Sequence, residues 1–288
     1  MFFFVVYKFI NMKRLKTSYK IDNKRYIFPC NAKTFKGKNE VLIDHGNNLL
    51  ENTNFSKFGY KVVSFKNSFS HSSLNNYISN YIKRIIEKEL KVKIKKFDLK
   101  KYHKYVDQKV HFTVLKKLSK GIKFSNFFPK SKIERFMSQT LNMRVTTLNS
   151  KYRKKINPNV FLVRIIRPTK YDFNPPHRDV YFERYRSAVN IYIPIAGSNK
   201  KSSLPIFPKS HIMNESSIER TSLNSSFNNF RFSVPIIVKT FPALKLIRPN
   251  PKNNQLMIFS SYLIHGGAKN ENKDITRVSV ELRFWRKN

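Results

Sequence analysis

The hydrophobic rhythm of this chain changes once along its length, and that change limits what it can fold into. Leu74, Tyr77, Ile78, Tyr81, Ile82, Ile85, Ile86 and Leu90 recur every three or four positions. That is the mark of a helix with one buried stripe, and Ser72 or Ser73 stands where its N-cap is expected. A second helix is predicted over 102–118 through Val106, Val110, Val114 and Leu115, with Gly121 as its stop. A third follows Ser131, with Ile133, Phe136, Met137 and Leu141 on one face. After Asn157 the period falls to two. Segments 160–167, 188–195, 255–261 and 276–285 are rich in Val, Ile and Phe and read as strands, as does the short run 59–65. Helices first and strands afterwards give a mostly β chain with packed helices. The Ser- and Asn-rich stretch 209–230 reads as a lid or binding loop, and with the N-terminal helices it is expected to contact substrate. Residues 1–54 show no readable pattern.

The charge is large: 57 Lys and Arg against 17 Asp and Glu, a balance of +40 over 288 residues. Lys, Asn, Phe, Ile and Tyr are the residues that an AT-rich genome overproduces, so the excess reads first as drift on a solvated surface. It is spread along the chain, +27 over 1–155 and +13 over 156–288. Salt-sensitive, non-specific attraction to polyanions is expected either way. One cysteine, Cys30, excludes a disulfide framework and a Cys-rich zinc site. The opening MFFFVVYKFINMKRLK has an apolar run of about ten residues, half of what a bilayer needs. Its charge follows that run instead of preceding it, unlike a secretory signal. It reads as a buried strand or an upstream extension before Met12, with a membrane-surface anchor as the alternative. Without a targeting signal, the cytoplasm is the default compartment.

Chemistry is suggested by three short segments. His177-Arg178-Asp179 is the one place where an acid stands two residues after a histidine. On a strand the two share a face, so an imidazole nitrogen and a carboxylate oxygen can bind one metal ion. His265-Gly266-Gly267 follows the 255–261 strand and offers a third ligand, with glycines where backbone and substrate approach closely. Two histidines and one carboxylate leave metal positions open, as in the triad of non-haem Fe(II) oxygenases. Twelve residues on, Arg277 and Ser279 share a strand face opposite Val278, Val280, Leu282 and Phe284. A guanidinium with a hydroxyl beside it grips a carboxylate, which suits the far end of 2-oxoglutarate and has no use in a zinc hydrolase.

The segments FLVRIIRPTKYDFNPPHRDVYF, SAVNIYIPIAG, PKSH and SSYLIHGGAKNENKDITRVSVELRF together resemble the phytanoyl-CoA dioxygenase-like branch of Fe(II)/2-oxoglutarate dioxygenases. The likeness spans about 158–286 and extends faintly to FGYKVVSF. It implies a double-stranded β-helix, or jelly roll, with flanking helices. Residues 55–288 would then form one domain, with helices in 72–141 and a β core over 158–286, behind an extension of 1–54. It implies iron on His177, Asp179 and His265, and 2-oxoglutarate at Arg277 and Ser279, with Asn190 and Arg164 as further co-substrate contacts. Dioxygen is the remaining reactant and a small molecule, lipid or sugar the substrate. Where the family usually has Gly before its Ser-His, this chain has Lys209. Asp179 favours hydroxylation over halogenation, since halogenating relatives carry a small residue there.

Three rivals share these features: an inactive basic barrel binding nucleic acid or another polyanion, a nucleic-acid demethylase of the same fold, and a zinc hydrolase on the same triad. No base-stacking aromatic motif supports the second. Glu281 and Arg283 continue the Arg277 face and read as a structural ion pair or network lower in the barrel, not catalytic. Trp285 reads as packing. His45, His71, His103 and His111 have no assigned role, and Cys30 lacks the surroundings of a nucleophile.

Overall fold

The computed structural model describes residues 14–287 except 172–173, 223–224, 228–229 and 233. The reading of the first thirteen residues as a buried strand or a surface anchor lies outside the described residues. Chain order begins with strands β1 (Arg14–Ile21), β2 (Lys24–Asn31), β3 (Thr34–Lys36) and β4 (Tyr60–Ser64), then helices α1 (His71–Leu90) and α2 (Gln108–Leu118). Strand β5 (Ile122–Lys123), helix α3 (Lys130–Leu141), and strands β6 (Val145–Thr146), β7 (Val160–Ile166) and β8 (Ala188–Ala196) follow. The chain closes with β9 (Ile218–Thr221), β10 (Ser225–Phe227), β11 (Phe230–Phe232), β12 (Ile237–Thr240), β13 (Lys245–Leu246), β14 (Gln255–Ser260) and β15 (Arg277–Arg286).

The largest sheet runs β4-β14-β8-β15-β7-β5, with β6 also on β15, and its pairs are antiparallel. Its two faces differ sharply. Val189, Ile191, Ile193 and Ile195 of β8 join Val278, Val280, Leu282 and Phe284 of β15 on the outer face. The helices press onto that face through Leu74, Ile78, Ile82, Val110, Val114, Ile133 and Met137. The alternating residues Asn190 and Tyr192 of β8, Met257 and Phe259 of β14, and Arg277, Ser279, Glu281 and Arg283 of β15 line the inner face. Helices expected to touch substrate therefore cover the wrong side of the sheet.

The facing wall is a row of single bridges, His177↔His265, His265↔Ile206 and Ile206↔Ile247. β12 joins its end, where the Ile237 amide donates to the Pro176 carbonyl at 2.8 Å. Behind this wall lie β1 and β2, whose Tyr19, Tyr26 and Phe28 pack on Ile218, Ile237, Leu246 and Ile264. β1 pairs with β2 and β13, β2 with β10, and β3 with β9. Two walls around an interior that is apolar at Tyr192, Ile206, Met257 and Phe259 and polar at Arg277, Ser279, Glu281 and Arg283, with helices outside, make a double-stranded β-helix.

Local chemistry explains where element ends depart from the pattern. α1 starts earlier than expected because Ser70 is its cap, with Oγ accepting from the Ser73 amide at 3.2 Å. The predicted 102–118 helix is two pieces. Asp98 starts a short 3-10 turn over Leu99–Lys104, and Asp107 restarts the chain as α2 by accepting from the Val110 amide at 2.7 Å. The described residues of the 209–230 stretch are not one irregular loop: they hold two 3-10 turns, Ser210–Ile212 and Glu215–Ser217, then β9 and β10, and reach the start of β11.

Candidate metal and co-substrate site

His177 and His265 meet because their backbones form one bridge, with reciprocal N–H···O distances of 2.9 and 3.0 Å. Their rings lie 4.4 Å apart, centroid to centroid. Each ring is locked from behind: His177 Nδ1 is 2.7 Å from the Pro175 carbonyl and His265 Nδ1 is 2.9 Å from the Leu263 carbonyl. A carbonyl partner makes each Nδ1 the donor and leaves Nε2 as the lone-pair nitrogen. Both Nε2 atoms face Asp179 Oδ1, at 3.4 Å from His177 and 4.0 Å from His265. The three candidate ligand atoms lie within 4.8 Å of one another, and all three residues are buried.

The strand argument for His177 and Asp179 needs a correction. Arg178 is extended, but Asp179 already opens a 3-10 turn, Asp179–Tyr181. The acid reaches the histidines by turning, not by strand alternation. Arg178, between them, is fully buried and points away, to Glu215 and the Ser210 carbonyl. Gly266, at φ +97°, lets the chain beside His265 press against the His177 loop; a Cβ there would lie 2.8 Å from the Pro175 oxygen.

Arg283 also departs from expectation. It is not a remote structural partner of Glu281: its Nε and a terminal nitrogen donate to Asp179 Oδ2 at 3.0 and 2.8 Å. One carboxylate oxygen is thus held, and the other faces the histidines. Burial pushes the Asp179 carboxyl upward, but Arg283 and the two imidazoles outweigh it and hold the group well below the usual carboxylate range. Burial and the neighbouring His177 push the His265 imidazole down to about 4, which favours the neutral, ligating form. The available signal was parity, since Arg283 shares the face of Arg277 and Ser279.

Further along β15, Arg277 is fully buried, with its guanidinium 5.7 Å from the centre of the Tyr192 ring. Ser279 is equally buried, and its Oγ has no hydrogen-bond partner among the described residues. Asn190, 3% exposed, has both amide atoms in the same condition. Arg164 lies on β7 opposite Ser279, and its Nε donates to Glu281 Oε2 at 3.1 Å. Lys209 adopts a left-handed backbone, φ +63°, the conformation that suits glycine. His211 is buried away from the triad: its Nε2 is 2.8 Å from the Ser56 carbonyl, and its ring lies against Gly59. Cys30 is buried, and burial raises its thiol pKa.

No protein-family model matches the chain, and no curated protein is similar to it in sequence. Among solved structures it is similar to EctD from S. alaskensis with 2-oxoglutarate and 5-hydroxyectoine, at 11% identity and TM-score 0.44, over 90% of this chain and 86% of that one. It is similar to the epimerase SnoN in complex with Fe3+, alpha ketoglutarate and nogalamycin RO, at 8% identity and TM-score 0.40, over 81% of this chain and 80% of that one. EvdMO1 is similar at 13% identity and TM-score 0.43, over 81% of this chain. The chain spans about half of EvdMO1, 48%. Among the described residues no helix is long and apolar enough to cross a membrane.

Proposed function

We propose that the chain is an Fe(II)- and 2-oxoglutarate-dependent oxygenase, of phytanoyl-CoA dioxygenase-like kind, that hydroxylates or otherwise oxidises a C–H bond of a small molecule. The convergence of His177, Asp179 and His265 on one buried point carries this reading. Two imidazoles and a carboxylate, with no thiolate, are donors that suit ferrous iron. Their free atoms are set in advance by the Pro175 and Leu263 carbonyls and by Arg283.

The co-substrate reading rests on unmet hydrogen-bonding need. A buried hydroxyl and a buried amide without partners cost stability unless something else satisfies them. Ser279 and Asn190 are such groups, on the same inner sheet face as Arg277 and across from the bridge wall that carries His177 and His265. A molecule carrying a carboxylate at one end and a keto-acid at the other meets both needs. A zinc hydrolase would leave the Arg277–Ser279 pair without work.

When bound, iron and 2-oxoglutarate would activate dioxygen, one oxygen atom of which would turn C–H into C–OH while the other enters the succinate left as 2-oxoglutarate loses carbon dioxide. The chain's own part is positional. His177, His265 and Asp179 hold the metal, and Arg283 keeps one Asp179 oxygen engaged so that the other is directed at it. Arg277 and Ser279 would anchor the far carboxylate, and Asn190 would add a hydrogen bond to the co-substrate. Phe259, edge-on to His265 at 4.9 Å, and Met257 help keep water out.

Anaerobic titration with Fe(II) and then 2-oxoglutarate tests the reading. A weak visible charge-transfer band is expected in the native protein and not in His177→Ala. Arg277→Ala should keep iron and need more 2-oxoglutarate to develop the band. A native protein that gives no band ends the oxygenase reading.

A further inference from the structure

The turn that carries Asp179 has a second face. Asp179 points at the histidines, but Val180 and Tyr181, the next two residues, form one wall of a cleft of about 580 Å³. Phe35 of β3, Leu42 and Pro235 supply the rest of its apolar lining, and Arg186, Arg220 and Ser222 its polar part. A volume of that size lies in the range of small-molecule sites.

Arg220 is the informative residue. Its guanidinium is sandwiched between two rings, 4.5 Å from the centre of Phe35 and 4.4 Å from the centre of Tyr181. Its Nε donates to Glu215 Oε2 at 3.2 Å, and Glu215 is itself 1% exposed. The head group is therefore fixed in the cleft wall, while its two terminal nitrogens make no hydrogen bond among the described residues. The charge there is also unbalanced. Glu215 is shared between Arg178 and Arg220, so that cluster keeps one net positive charge. Arg186 adds another, and none of the cleft's lining residues is acidic. A planar, pre-oriented guanidinium of this kind matches an oxyanion with two oxygens to offer.

We infer that this cleft binds the oxygenase's substrate, and that the substrate is a small molecule with an apolar or aromatic body and an oxyanion group, carboxylate or phosphate, held by Arg220. The inference rests on the oxygenase reading, and its link to the candidate metal site is that Val180 and Tyr181 of the cleft wall belong to the turn that Asp179 opens. It adds what the triad does not say: the charge of the substrate and the residue that selects it. Body and anion divide the work, with Phe35, Leu42, Val180 and Pro235 taking the first and Arg220, assisted by Arg186 and Ser222, the second.

The test is a binding measurement on metal-free protein, by equilibrium dialysis with three probes of one ring system: naphthalene-2-carboxylate, 2-naphthyl phosphate and uncharged 2-naphthamide. At least one anion should bind in saturable fashion and about tenfold or more tighter than the amide, and which one does distinguishes carboxylate from phosphate. Arg220→Met should weaken that anion by about ten- to a hundredfold and leave the amide unchanged, the range expected for charge-assisted hydrogen bonds. Arg220→Lys, which keeps a cation beside Glu215, guards against loss of fold and should recover part of the preference. Lys95→Gln, an exposed charge on the helical side, should change nothing.

Equal affinity for anion and amide, no saturable anion binding at millimolar concentration, or a preference that survives Arg220→Met would each overturn the inference. The iron and 2-oxoglutarate band, recorded on the same variants, separates the two readings. A normal band in Arg220→Met with the anion preference lost supports the assignment. A normal native band without any anion preference removes the assignment and leaves the oxygenase. An anion preference in a protein that gives no band removes the substrate role.

Discussion

Replacing Arg283 with Met isolates the physical element on which the triad depends. Asp179 is 2% exposed, and its Oδ2 takes both N–H groups of Arg283, at 3.0 and 2.8 Å. Met keeps most of the apolar stem and removes the charge. What remains is a buried carboxylate facing two imidazoles, one of them displaced toward the neutral form. Breaking one side of a buried ion pair costs about 3–5 kcal/mol. Proton uptake by a histidine recovers part of this, so the lower end, about 3 kcal/mol, is expected. At about 2–4 °C per kcal/mol for chains approaching this size, the metal-free protein should lose about 6–12 °C in Tm. A divalent cation replaces the missing charge, so saturating Fe(II) should return more Tm to Arg283→Met than to the native protein. A double-mutant cycle completes the assay: in an Asp179→Asn background there is no buried charge to strand, and Arg283→Met should then cost about 1 kcal/mol or less. A Tm loss under about 2 °C, or an equal loss in both backgrounds, refutes the claim that this pair holds the candidate ligand Asp179 in place.

Three further outcomes follow from single residues. Ser279→Ala removes a buried hydroxyl with no partner among the described residues, so the metal-free protein should keep its stability to within about 0.5 kcal/mol. 2-Oxoglutarate titrated into the iron-loaded variant should nonetheless bind about tenfold more weakly, as for one lost charge-assisted hydrogen bond; unchanged affinity removes Ser279 from the co-substrate site. His111 is buried, and burial, then Arg167, push its imidazole from 6.5 down to about 4. The unfolded chain takes up that proton first, so stability falls as pH drops from 6.5 to 4, by up to about 3 kcal/mol, and denaturant unfolding of His111→Gln should show a shallower acid limb. Lys209→Gly relieves a left-handed backbone at φ +63° and should raise stability by about 0.5–1 kcal/mol, less the contact its ammonium makes over Phe58; a loss of Tm contradicts it.

Much of this fold was legible because its two periods are enforced by burial. The apolar stripe of α1 and the alternation of β15 are written by the same outer core, so the five strands read from the sequence, β4, β7, β8, β14 and β15, were placed to within a residue, while β1, β2, β3 and the short strands β9 to β13 were not read. Caps were harder. Asp107 restarts a helix within a run that stays periodic on either side, and only the competition of its carboxylate for the Val110 amide reveals the break. The bridge wall was not legible as strands at all. His177, His265, Ile206 and Ile247 each contribute a single paired residue, too short a stretch to carry a period. The candidate ligands were still found, since residue type and order survive where periodicity does not. Glu215 was missed for a related reason: it lies 37 residues from Arg178, and no local pattern links an acid in a Ser-rich turn to a cation between two candidate metal ligands.

The kind of cation says more about the chemistry than the overall charge. Forty of the 57 basic residues are Lys, and among the described residues no Lys is buried, whereas Arg178, Arg248 and Arg277 are. Compositional drift can add ammonium groups wherever water reaches, because a solvated Lys costs the fold almost nothing. It cannot fill buried positions, where the strongly hydrated ammonium is expensive and a broad, weakly hydrated guanidinium finds several acceptors at once. Eleven of the 17 arginines fall in 156–288, the half that builds the barrel, although that half carries the smaller excess charge. Among the described residues the Lys excess therefore belongs to the solvated surface, and the specific electrostatics to a few arginines: Arg283 on Asp179, Arg178 and Arg220 on Glu215, and Arg277 on the inner face. A salt titration should separate the two, weakening general attraction to polyanions while leaving the Arg220-dependent preference for a small anion largely in place.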